Sequence, residues 1–323
     1  MALVRYIQFE TQSNFTTETF SAFGSDAHVI DPIGEDITGD QQYIYPRTAG
    51  LRNIRGRVEG SKKWTGPLDT PLYSAHAPSL IYYAMGTAVT VDNSPFAAIN
   101  TTVITKADSL PFFKAGIGRE LNEHRYTGGI MSGFTIDYSP DDVFTGSFDC
   151  VFRRELSPAA LDTLASFPDY DDLERGFGGV EVTTRLGGAD VDFVESASVT
   201  LENNVADDAY SLGSSFLPAG IIAAFGVTGS FDLRYDAVTR YTDWLDGTKP
   251  RFELNAQHGV VASVTQRDVK FDFPKISYDV NRLPTDNIER YVQTLDWTAE
   301  PDTNGDPVIV TVINAQDNTS ITG

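Results

Sequence analysis

Thr145-Gly146-Ser147-Phe148-Asp149 is spelled again, 83 positions on, as Thr228-Gly229-Ser230-Phe231-Asp232. The flanks extend the likeness. VF precedes the first copy and IIAAFGV the second, and the copies run on into CVFR and LRY. Each is followed by a helix-start signal: Ser157-Pro158 leading into AALDTLASF, and Asp236 leading into AVTRYTDWLDG. Upstream of each lies another strand pattern, GFTIDY at 133–138 and ASVTLEN at 197–203, with a longer loop in the second case. The spacing predicts a duplicated strand–helix unit, hence a duplicated domain.

Period-two alternation assigns the faces. Phe144, Phe148, Cys150 and Phe152 share one side of the first strand, and Thr145, Ser147, Asp149 and Val151 the other. In the second copy Val227, Gly229, Phe231, Leu233 and Tyr235 stand opposite Thr228, Ser230, Asp232 and Arg234. Phe148 and Phe231 are therefore expected in the core, with Asp149 and Asp232 pointing away from it. Further strands are expected at 52–60, 178–186, 268–280, 289–297 and 307–314, with a hairpin turn of Asp302-Thr303-Asn304-Gly305-Asp306 between the last two. Short helices are expected from Pro78 to Met85, Pro158 to Phe167 and Ala237 to Leu245. The expectation is a mainly β chain of two tandem β-sandwich or barrel-like units, each with a short packed helix. A loosely structured N-terminal arm covers 1–45, the first unit 46–168, an acidic, glycine-rich linker 169–179 and the second unit 180–323.

The chain has 323 residues, enough for two cores, and its net charge is −21. That excess is made of 31 Asp and 14 Glu against 17 Arg and 7 Lys. Such a surface repels nucleic acid and excludes a sequence-reading DNA binder. Two explanations compete: solubility in concentrated salt, pointing to a halophilic host, or a surface that must not adhere to a passing polyanion. The longest apolar run, Leu217 to Val227, is too short to span a bilayer, and the N-terminal MALVRYIQFETQ lacks a signal-peptide pattern; cytoplasmic synthesis without membrane insertion is expected.

Chemistry is not legible. His28, His76, His124 and His258 are scattered without metal-ligand spacing, so no metal site is assigned. Cys150 alternates onto the apolar face as an inert thiol. Gly116-Ile117-Gly118 lacks the third glycine of a dinucleotide loop, so no cofactor is expected. The pairs Asp141-Asp142, Asp171-Asp172 and Asp207-Asp208 read as loop residues, Asp302 to Asp306 as a turn rather than a calcium loop, and Asn14, Asn100 and Asn318 as ordinary asparagines. No catalytic residue emerges, and the chain is not expected to be an enzyme.

Several segments in order resemble the tail tube proteins of long-tailed, non-contractile viruses: RNIRGRVEGSKKWTGPLDTPLYSAHAPSLIYYAMGT, HRYTGGIMSGFTIDYSPDDVFTGSFDCVFR, then VESASVTLENNV, YSLGSS, GIIAAFGVTGSFDLRYD and VIVTVIN. The likeness covers most of 45–315; the first 45 residues and the 204–220 loop depart from it. The resemblance implies a structural virion protein whose subunits form rings, the rings stacking into a tube through which genome DNA leaves. A two-domain chain would close a pseudo-sixfold ring from three copies, the repeated TGSFD marking one strand in neighbouring ring positions. Partners implied are further copies of itself, the tape measure protein and other tail proteins, and viral DNA in transit without sequence-specific binding.

A channel for a polyanion should be repulsive or neutral, because cationic walls add an attractive phosphate term at each contact. Asp137, Asp149 and Asp232, on polar strand faces, are the candidate lumen-facing residues. The alternative is that these faces look outward to solvent. Rival functions are a tail terminator or baseplate hub of the same fold, an extracellular tandem β-sandwich binding module, or a hydrolase with paired carboxylates.

Overall fold

The computed structural model describes residues 4–24, 27–30, 32–45, 56–92, 100–162, 177–178, 181–191, 194–234, 239–261, 265–282 and 292–314. The linker expected at 169–179, apart from 177–178, lies outside them. So do Asp171-Asp172, Tyr235, Asp236 and Asn318, the first residues of the strands expected at 52–60 and 289–297, and the C-terminal part of the helix expected at 158–167.

In chain order the first elements are β1 (Val4–Gln12), β2 (His28–Ile30), β3 (Gly34–Glu35), β4 (Thr38–Ile44), β5 (Val58–Pro71) and α1 (Ala77–Met85). Then come β6 (Gly86–Asp92), β7 (Asn100–Lys106), β8 (Phe112–Arg119), β9 (Asn122–Tyr138), β10 (Thr145–Ala160), β11 (Val182–Leu186) and β12 (Ala189–Asp190). The rest are β13 (Val194–Glu202), β14 (Gly226–Arg234), α2 (Thr239–Leu245), β15 (Phe252–Val261), β16 (Thr265–Phe273), β17 (Lys275–Arg282), β18 (Val292–Glu300) and β19 (Ile309–Asn314).

Among the described residues these strands form two antiparallel sheets and no closed barrel. The larger follows the order β17-β18-β14-β13-β9-β10-β5-β3, with β4 also on β5 and β8, β1 and β2 branching from β9. The smaller runs β12-β11-β15-β16-β19-β7-β6. Both sheets mix strands from the two halves of the chain, through β9·β13 in one and β7·β19 in the other. Their inner faces meet through aromatic side chains: Phe134 and Phe144 each meet Phe271 at 6.4 and 6.3 Å between ring centroids, and Phe231 meets Phe252 at 5.2 Å. Trp297 packs against Phe252 and Phe273 at 5.6 and 5.0 Å. One buried cluster runs through all of these.

Phe148 and Phe231 are buried, Asp149 is exposed and Asp232 is half-buried, while Val151, placed on the polar side by alternation, is buried against Leu217. Both TGSFD segments occupy the second strand of a hairpin, β9–β10 and β13–β14. Each hairpin carries a register shift just after the aspartate, between Asp149 and Cys150 and opposite the Val194/Ser196 step. At hairpin level the repeat is real.

The sheet order matches other elements between the halves. β10 and β14 are separated by β9 and β13 in an all-antiparallel run, so they point in opposite directions within one sheet. Phe148 and Phe231 therefore lie on strands of opposite direction and are not like-placed in the sheet. The like-ordered elements are others. Hairpin β4–β5, α1, hairpin β6–β7 and hairpin β9–β10 recur as hairpin β13–β14, α2, hairpin β15–β16 and hairpin β17–β18. This order sets Thr65-Gly66-Pro67-Leu68-Asp69 on β5 against Thr228-Gly229-Ser230-Phe231-Asp232 on β14, and Phe148-Asp149 against Leu295-Asp296 on β18. The ladders agree: Leu68 pairs with Phe148 as Phe231 pairs with Leu295. The register shift at Met131/Gly133 on β9 recurs at Tyr278/Val280 on β17.

Other expectations change. Ser157-Pro158 does not start a helix: β10 continues to Ala160, paired with β9 as far as Asn122. The proline sits exposed at a register shift between Leu156 and Ala159, where its missing N–H is tolerated. The first 45 residues are not a loose arm but supply β1–β4, with Ile7 and Phe9 in the core and β1 paired along β8. Residues 302–306 do form a turn, Asp302 Oδ1 accepting from the Asn304 and Asp306 amides at 2.7 and 3.1 Å, with Gly305 at φ 94°. It is not a hairpin, because β18 and β19 lie in different sheets. The α1 helix has Pro78 in its first turn, buries Leu80, Ile81, Tyr83 and Met85, and stops at Gly86 with φ 96°. α2, by contrast, buries none of its residues fully.

Candidate functional site

The outward face of the large sheet is paved with short polar side chains in continuous cross-strand rows. One row runs Asp69, Ser147, Thr135, Thr200, Thr228, Thr298, each directly opposite the next. The adjacent row runs Thr145, Asp137, Ser198, Ser230, Asp296. Asp149 stands opposite Pro67 and Gly133, and Asp232 opposite Ser196 and Thr294. Residues directly opposite share a face, so Asp137, Asp149 and Asp232 all lie on this one surface, drawn from both halves of the chain.

Short hydrogen bonds lock the rows. Ser147 Oγ donates to Asp69 at 2.6 Å, Ser198 Oγ to Asp137 at 2.7 Å, and Ser196 Oγ and Thr294 Oγ1 to the two oxygens of Asp232 at 2.8 and 2.6 Å. Thr135 and Thr200 hydroxyls meet at 3.2 Å across the β9·β13 seam. Asp69, Asp137 and Asp232 thus accept from hydroxyls rather than cations, and among the described residues none of Asp137, Asp149 and Asp232 forms an ion pair. The six central segments 65–71, 133–137, 145–149, 196–202, 226–232 and 294–298 contain no Lys or Arg. Arg234, beyond the rows, lies 3.6 Å from Glu195. Partial burial, then the charges of Asp69 and Glu202, hold the Asp149 carboxyl above its ordinary range.

Gly133 lets the strands close at the seam, since a Cβ there would lie 2.3 Å from the Leu201 carbonyl oxygen. At one end the polar face is covered. The 204–220 loop lays Leu217 against Phe15, Ile130 and Val151, stacks Phe216 on Trp64 at 6.3 Å, and ties Asp207 to Lys63. The arginines there are engaged too: Arg153 donates to the Leu217 carbonyl at 3.0 Å and Arg154 to Glu18 at 3.2 Å. Cations near the face are neutralised under this loop, a feature the composition of 204–220 did not announce.

The remaining candidates go to packing. Cys150 is buried, and burial pushes its thiol up, away from reactivity. His76 is buried with its pKa pushed down to about 3 by desolvation and then by His28, so it is neutral. His28 stacks on Phe9 at 5.2 Å, and His124 Nδ1 lies 2.7 Å from Glu155. The His258 side chain lies outside the described residues. Gly116 and Gly118 sit inside β8, where Cβ atoms would strike Phe23 and Tyr6, so they serve close packing and not a phosphate loop. Among the described residues no cluster of three His, Cys, Asp or Glu could hold a metal, and no helix is long and apolar enough to cross a membrane.

What the surface offers is a broad, hydroxyl- and carboxylate-lined wall, rigid by cross-strand bonding and without an exposed cation in its centre. The family model described as "Phage tail tube protein" matches residues 6–311, and no curated protein matches the chain.

Proposed function

This chain belongs to the phage tail tube protein family, and from that premise we propose that its copies close into rings, that the rings stack into the tail tube, and that the polar face of the large sheet lines the channel through which DNA leaves. Membership makes it a structural component of the viral tail. The finer reading rests on one observation: a continuous wall of Ser, Thr and Asp, spanning both halves, whose six central segments 65–71, 133–137, 145–149, 196–202, 226–232 and 294–298 carry no lysine or arginine. Such a wall adds no counterion-releasing phosphate contact and lets a polyanion slide.

Three copies would supply six like-ordered sets of hairpins and close a pseudo-sixfold ring. The tape measure protein would occupy the channel before DNA does, and assembly would take place in the host cytoplasm. Asp69, Asp137, Asp149, Glu202, Asp232 and Asp296 are a small share of the chain's 45 acidic residues, so the wall does not account for the acidity. The remainder fits a surface kept soluble in a salt-rich host. In molar salt the Debye length is about 3 Å, so the lack of wall cations matters more than long-range repulsion.

Electron microscopy of the purified protein tests this. Continuous tubes with the Asp137 face inward are expected. Isolated closed rings would favour a tail terminator of the same fold, and a lumen lined by lysine and arginine would sink the conduit reading.

A further inference from the structure

The six central segments of the wall lack more than lysine and arginine. They also contain no Asn, Gln or His, and Trp297, their one indole, is 1% exposed on the core side. Their backbone N–H groups are engaged in antiparallel ladders. The side-chain donors that remain on this face are the Ser and Thr hydroxyls, each with a single proton to give. Phosphate oxygens accept hydrogen bonds from such groups, so these protons are what the wall could offer a nucleic-acid backbone.

The geometry shows where the protons go. Ser147 gives its own to Asp69, Ser198 to Asp137, and Ser196 and Thr294 to the two oxygens of Asp232, at 2.6–2.8 Å. Thr298 donates to Asp279 at 2.6 Å, and Ser132 to the Asp149 carbonyl oxygen at 3.2 Å. Thr135 and Thr200 share one bond with each other. An ionised carboxylate only accepts, whereas Asn in the same places would accept and also present two N–H donors of its own. The acid, and not its amide, is the side chain that removes donors from the surface without adding any.

We propose that Asp69, Asp137 and Asp232 act through these hydroxyls, sequestering their protons so that the wall presents acceptors alone to a passing phosphate backbone. They are positioning residues for conduction, and charge repulsion is the lesser part of their role. The difference matters in brine. Screening confines repulsion to about 3 Å at 1 M salt, whereas a hydrogen bond made at contact persists. The proposal rests on the channel reading above.

Tubes assembled from altered chains, mixed with a short fluorescent DNA duplex and sedimented, test it. Asp232→Ala frees the Ser196 and Thr294 protons, and duplex carried down with the tubes is expected to rise at least about five-fold and to stay raised in molar salt. Asp232→Ala with Ser196→Ala and Thr294→Val removes the same charge together with the protons, and should return to the unaltered level. Should the half-buried Asp232 be needed for folding, Asp137→Ala with and without Ser198→Ala repeats the comparison at an exposed pair. A rise that vanishes in molar salt, or that survives removal of the hydroxyls, would assign the effect to charge and overturn the proposal; so would no rise at all. Thr200→Lys tubes separate that failure from a larger one. If they retain duplex at low salt, the face lines the channel and only the proton-sequestering role falls. If they do not, the channel reading falls and takes this role with it.

Discussion

Phe231→Ala tests whether the repeated strand truly divides a core face from a wall face. Phe231 is 2% exposed, and its ring bridges the two sheets, 5.2 Å from Phe252 of the small sheet and 6.3 Å, edge-on, from Tyr278 of the large one. Removing the ring forfeits roughly 1.5–3 kcal/mol of side-chain burial. The void it leaves, about 80 Å³ at about 24 cal/mol per Å³, adds about 2 kcal/mol if the neighbours do not collapse. Collapse is limited here because Phe252 is itself held by Phe273 and Trp297. The sum of about 3.5–5 kcal/mol falls at the upper end of the usual Phe-to-Ala range. Ser230→Ala, one residue away on the polar face, should cost no more than about 0.5 kcal/mol. Urea unfolding of the unassembled protein, followed by fluorescence, measures both. Equal losses from the two substitutions, or a Phe231→Ala loss under about 1 kcal/mol, would show that the sheets do not pack through this ring and that the face assignment is wrong.

Gly133→Val should destabilise the β9·β13 seam by about 1–3 kcal/mol, because even its Cβ would lie 2.3 Å from the Leu201 carbonyl oxygen; unchanged stability in the same unfolding assay would mean the seam is looser than described. Asp149→Asn should stabilise the chain slightly, by up to about 1 kcal/mol, since burial and the neighbouring Asp69 and Glu202 raise this carboxyl's pKa. The charge costs stability only where the unfolded carboxyl is ionised, so the gain should be full above the raised folded pKa and vanish below about pH 4. A gain that grows on acidification contradicts the assigned cause. Thr200→Lys should fold and assemble normally but slow DNA release from virions, with the defect easing as salt rises; normal release at low salt would put this face outside the channel.

The polar–apolar division of the strands was legible because side-chain direction alternates locally, whatever the strand pairs with. Phe148, Phe231, Asp137, Asp149 and Asp232 took their sides from that rule alone. So did α1, whose limits are written in Pro78 and Gly86, a first-turn proline and a residue at positive φ. Strand partnership was not legible. TGSFD on β10 and on β14 matched at hairpin level, yet only the sheet order revealed that the two run in opposite directions. The better counterpart of the second copy, TGPLD at 65–69, stood in the sequence. Its sign was the helix downstream of each segment, closing before Gly86-Thr87 in one case and Gly247-Thr248 in the other. Nor could composition show that β1–β4 join the sheet, that Pro158 sits at a bulge, or that the 302–306 turn crosses between layers. Each depends on a partner strand tens to hundreds of residues away, and backbone hydrogen bonding is indifferent to side-chain identity. The chain's own letters decide which way a side chain points; which strand lies beside it is decided only when the whole sheet closes its register.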